Sequence, residues 1–151
     1  MEENRVKENA ATRQEDTAAV FSVMAKAAAA SIAAGGVLHG LGMIHTVMLG
    51  LSMPWWYWAV FLTAVAGYEA SAVLMLSGKT PGFVFAFLGP MVGGSLIILG
   101  FVFPASGLLC LIPGTYANEI TAAGFLTLVI EPIAVAFSLL FLLYGPKKGR
   151  S

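Results

Sequence analysis

The sequence predicts an all-α fold, an integral membrane bundle of four helices with both termini on the cytoplasmic side. Three observations predict it. Of the 151 residues, 58% are hydrophobic and only 11% charged, where soluble domains carry roughly a quarter charged residues. Mean hydropathy is +0.85, so polar surface is too scarce to cover a water-soluble sphere. Charge is also sorted to the ends: Glu2 to Asp16 form a dense mixed-charge head and Lys147 to Arg150 a basic tail, with only Lys26, Glu69, Lys79, Glu119 and Glu131 between them. A span needs about 20 mostly apolar residues, and the middle of the chain has room for four.

The elements follow in order. Residues 1–17 form a charged cytoplasmic segment, and 18–145 the four-helix domain, with spans at about 18–51, 55–76, 82–103 and 119–144. Residues 146–151 form the basic tail. Asp16-Thr17 reads as a helix start, and the acidic residues before it argue against a cleaved signal peptide. The first helix is longer than a hydrocarbon core of about 30 Å, so its early turns lie in water or headgroups and Lys26 snorkels to the near interface. Gly35-Gly36 is a place where this rod could bend. Met53-Pro54 closes the first span and opens the second, whose leading Trp55, Trp56, Tyr57 and Trp58 suit an interfacial aromatic belt. Ser77-Gly78-Lys79-Thr80-Pro81 is a tight connection. Pro104 ends the third span, 105–117 is an uncharged loop, Asn118 caps the fourth span, and Gly145-Pro146 stops it. Four spans place Arg5, Lys7, Arg13, Lys79 and the basic tail on one side and no Lys or Arg in the opposite loops, which by the positive-inside rule makes that side cytoplasmic.

Glycines mark where helices touch. Gly36 and Gly40 are four apart, as are Gly89 and Gly93, the small-residue spacing that lets backbones approach in lipid. Self-association and association with a partner are both compatible with it.

The chemistry-bearing residues fall at one depth. Counted from the outer ends of their spans at 1.5 Å per residue, His39, Glu69 and Glu131 lie roughly 16, 21 and 16 Å down, on three different helices. A charge at the bilayer centre costs about 2.5 to 3.5 kcal/mol on insertion scales, and such groups face the bundle interior and find partners. His39, Glu69 and Glu131 are therefore expected to form an intramembrane polar layer. Gly35, His39, Gly42 and Thr46 share one face of the first helix. His45 is shallower and turned about 120° away, so the two histidines are not one chelating pair. Pro132 removes a donor beside Glu131 and frees the carbonyl of Leu128, which Thr127, Ser138 or water can compensate.

Several chemistries fit such a layer. One imidazole with two carboxylates can bind a transition metal or relay a proton. Both histidines lie on one span, so haem would need a second chain, a partner or a Met ligand and is disfavoured. The single Cys110 excludes a zinc thiolate site and an internal disulfide. No nucleophile motif or nucleotide loop is present, and the zero net charge gives no sign of nucleic acid binding. A quinone site is open: His39 or Glu69 beside Tyr68 could hydrogen-bond the ring oxygens. The bland alternative is a satisfied structural core, in which His39 donates to a carbonyl and a neutral Glu69 bonds a facing helix.

Leu38-His39-Gly40 near the outer half of the first span, the "YEASAVLMLSGKTPG" stretch around Glu69 and the final "LLFLLYGPKKG" resemble small four-span membrane proteins of the DoxX-like family over about residues 36–149. The basic residue usual before the first motif is absent unless Lys26 replaces it, and Glu131-Pro132 is outside the family pattern. The resemblance implies a membrane subunit working beside redox enzymes, in some members with quinone as acceptor, with His39 and Glu69 at the matched positions. Three functional classes follow. The first is an accessory or anchor subunit of a larger membrane complex, an oxidoreductase, that is not catalytic on its own. The second is a small self-associating proton- or cation-coupled transporter, and the third a purely structural subunit. Expected partners are the lipid bilayer and other membrane subunits or a second copy.

Overall fold

A computed structural model describes residues 2–50, 55–103, 115–116, 119–120 and 122–145. Four helices account for almost all of them: α1 (Glu2–Met48), α2 (Trp55–Leu76), α3 (Thr80–Val102) and α4 (Ala122–Tyr144). Helical segments Thr12–Met48, Trp55–Leu76 and Gly124–Tyr144 are each long and apolar enough to cross a membrane. The all-α expectation needs one small correction. Thr115–Tyr116 (β1) and Glu119–Ile120 (β2) pair antiparallel before α4, so α4 begins at Ala122 rather than at Glu119. The expected Pro54 helix start, the Pro104 stop, most of the 105–117 loop, the Asn118 cap and the 146–151 tail lie outside the described residues.

The charged head is itself helical. α1 runs unbroken through it, for about 70 Å at 1.5 Å per residue, and through Gly35-Gly36 as well. No Gly or Pro occurs before Gly35, and the Glu, Lys, Arg, Ala and Gln that fill the first turns are good helix formers.

The turn between α2 and α3 shows how local chemistry sets the hairpin. Gly78 takes φ +68, the left-handed conformation that closes a helix. Its N–H donates to the Met75 carbonyl and that of Lys79 to the Leu74 carbonyl, the pair of bonds of a Schellman cap. Pro81 occupies the first turn of α3, where its missing donor costs nothing. Gly82 then lies against α2 so closely that a Cβ would sit 2.7 Å from the Met75 nitrogen, and Ser71 Oγ donates across to the Gly82 carbonyl.

α1 packs on α2 and α4, and α3 packs on α2 and α4, giving a closed ring in chain order. The core is lined with Ala28, Ala29, Ala72, Ala86 and Ala134, with Ile32, Tyr68, Met75 and Phe83 as its larger members. Small residues on all four helices allow the backbones to come close. At the end of the bundle near the hairpin, Phe141 stacks on Phe83 with centroids 3.7 Å apart and takes the edge of Phe21 at 6.1 Å, tying α4 to α3 and α1.

Candidate functional site, a buried imidazole–carboxylate pair

All four helices contribute to one polar centre inside this ring. α1 brings His39, and α4 brings Glu131 to meet it, Nε2 to Oε1 at 2.9 Å. Both side chains are largely shielded, 15% and 8% exposed. α2 supplies Tyr68, which lies near the Glu131 carboxylate and whose ring lies edge-on to the imidazole, centroids 5.5 Å apart. α3 supplies room. A Cβ at Gly89 would lie 2.9 Å from Tyr68 Cε1, and one at Gly35 of α1 would lie 3.4 Å from both Tyr68 Cε2 and Glu131 Oε1. The tyrosine ring is thus held between two glycines, Gly35 on α1 and Gly89 on α3.

Two prolines flank the centre, Pro90 directly after Gly89 and Pro132 directly after Glu131. Each deprives a carbonyl four residues back of its donor, Ala86 in α3 and Leu128 in α4. The inner face of α4 carries further polar groups at helical spacing: Thr127, Glu131 and Ser138 are all buried. Ser138 Oγ and His39 Nδ1 are buried without a hydrogen-bond partner among the described residues, so the imidazole has one nitrogen committed to Glu131 and the other open.

Of the three residues expected to form a layer, the structure joins two. Glu69 is at the same level, with its Oε1 where a Cβ on Gly36 would come within 2.7 Å, yet its side chain is exposed on the outside of the bundle. His39 and Glu131 are brought together; Glu69 is not bonded to either. Of the four glycines expected at helix contacts, Gly36 and Gly89 face neighbouring side chains at close range, whereas Gly40 and Gly93 have nothing within 4 Å of a would-be Cβ. His45 is exposed. Among the described residues no group of three His, Cys, Asp or Glu side chains converges as a metal site would require.

The nearness of Tyr68 to Glu131 is the part the sequence reading lacks, since there Tyr68 stands beside His39 or Glu69 and not beside Glu131. In the structure Tyr68, Ser71, Ala72 and Met75 lie on the buried face of α2, and Glu69 stands 100° from Tyr68 on the helical wheel.

Chemically, the pair can hold one proton in two ways. With the carboxylate ionised, the imidazolium Nε2–H donates to Oε1. With the carboxyl protonated, its O–H donates to a bare Nε2. Both arrangements are net neutral, so neither carries the cost of an isolated charge in a low-dielectric interior. No family model, curated protein or solved structure matches the chain.

Proposed function

We propose that this chain is a four-span membrane subunit, termini cytoplasmic, whose His39–Glu131–Tyr68 centre holds and passes a proton inside a larger membrane complex of the redox type. One observation carries the reading, the shielded 2.9 Å contact between His39 and Glu131. Ionisable groups are expensive at this depth and mark proton or ion pathways when they persist there. The open Nδ1 offers a second site of proton exchange on the same ring, as a relay requires.

The redox setting rests on the resemblance to DoxX-like proteins, with His39 at a matched position. A quinone that exchanges protons with His39 is the ligand class this setting favours. Absence of a nucleophile motif or nucleotide loop supports an accessory rather than a self-sufficient catalyst.

Purification from native membranes in mild detergent, followed by mass spectrometry and an absorption spectrum, tests the reading. Co-isolation of a redox enzyme whose activity falls when His39 is replaced by Leu is the expected result. A chain that purifies alone and carries protons across liposomes would replace it with the transporter. Cysteines placed at Ser106 and Ser151, both outside the described residues, should label from opposite sides of the membrane, and labelling from one side would overturn the four-span topology.

A further inference from the structure

A groove of about 260 Å³ opens between α1, α2 and α4 at the end of the bundle where Phe141 stacks. Its walls are apolar, formed by Phe21, Met75, Leu76 and Phe141, and its polar contribution comes from Ser22 and Lys26. Ser22, Lys26 and Leu76 are exposed, so the groove faces outward rather than into the core. A second groove shares Ala18 and Phe21 with it and continues along α1 to Arg13, with Tyr144 on the α4 side. None of the described lining residues of either groove is acidic.

The depth of Lys26 gives the groove a setting. Gly35 marks the level of the polar centre, and Lys26 is nine residues away, about 14 Å along the helix. That is close to half of a hydrocarbon core of about 30 Å. Leu76, the last residue of α2, lines the same groove, so a complete span ends at the same level. Apolar walls thus meet a cation where acyl chains give way to headgroups. The position asks for a ligand with a hydrocarbon tail and an anionic head.

We infer that this groove binds an anionic phospholipid of the surrounding bilayer, with its phosphate at Lys26 and Ser22 and an acyl chain along Leu76 and Met75. Basic pockets between spanning helices on the cytoplasmic side are suited to such headgroups. The inference rests on the membrane reading above but not on the proton centre, which lies on the other side of the Ala28–Ile32 packing layer.

The test uses the full chain purified in detergent, with phosphatidylglycerol or phosphatidylcholine of identical acyl chains added and binding followed by native mass spectrometry. Phosphatidylglycerol should bind in preference, and Lys26→Gln should weaken it about fivefold, the effect of one cation near a headgroup. Lys26→Arg should restore most of the preference. Lys79→Gln removes the same charge from the same end without touching the groove and should leave binding unchanged. Equal binding of phosphatidylcholine, an equal loss in Lys79→Gln, or competition by millimolar glycerol phosphate as effective as the lipid would each overturn the inference. Flotation with vesicles separates the two readings. A chain that floats but shows no headgroup preference loses only the lipid site, and one that does not float loses the membrane assignment with it.

Discussion

Glu131 and Glu69 sit at nearly the same level of the bundle, on α4 and α2, and meet opposite surroundings. Glu131 is 8% exposed and has His39 at 2.9 Å with Tyr68 nearby. Glu69 lies on the outer surface over Gly36. The same side chain is therefore a fixed member of a network in one region and a peripheral group in the other. Depth decides that a carboxylate is costly; azimuth decides whether the protein supplies its partner. Glu131 has a partner with which it can share a proton, and Glu69 has none of that kind among the described residues.

The largest effect should come from breaking the inner region. Glu131→Leu leaves the imidazole without its partner, at about 1 to 3 kcal/mol. Unfolding in mixed micelles should show this loss, and His39→Leu should show a related one. The double variant should fall short of the sum by about 1 kcal/mol or more, since bonded residues couple. Additivity would mean that the 2.9 Å contact contributes little.

Next in size is the glycine grip. Gly89→Leu forces a side chain into the Tyr68 ring and should cost about 1 to 3 kcal/mol, as overpacking does. Gly93→Leu, one turn away with nothing within 4 Å, should be nearly neutral in the isolated chain. Equal losses would show that α3 packs differently around Tyr68. A Gly93→Leu defect that appears only in the assembled complex would place the partner on that face.

Glu69→Gln should change unfolding by less than about 1 kcal/mol, within the range of surface substitutions away from a network. A loss as large as that of Glu131→Leu would erase the contrast between the two regions. The smallest effect belongs to His45→Leu, expected within about 0.5 kcal/mol of the parent and silent in assembly. A damaging His45→Leu beside a silent His39→Leu would reverse the assignment of the two histidines.

How much of this was legible in the sequence depends on which coordinate is asked about. Axial position was legible, because a helix advances by a fixed rise and the ends of α2 are marked by Trp55 and Gly78. Direction was legible only where small and polar residues recur on one face, as with Gly35, His39, Gly42 and Thr46 on α1. α2 offers no such guide near its middle: apolar residues cover its outward-facing and core-facing sides alike, so nothing in "AGYEASA" says that Tyr68 turns inward and Glu69 outward. The spacing of Gly89 and Gly93 likewise identifies a face but not where along it the neighbouring helix comes close. The extent of α1 was underestimated because charge was taken as a boundary. Charge sets what surrounds a helix, and only Gly, Pro or a competing cap ends it.

That unbroken helix has a mechanical consequence. Ala28, Ala29, Ile32 and Phe21 hold it within the bundle, so only the part from Phe21 to Glu2, 19 residues or roughly 28 Å, stands beyond these contacts. A tilt of about 10° beyond Phe21 would move the tip by roughly 5 Å. The charged end is thus a handle, continuous in one helix with the residue that holds the imidazole.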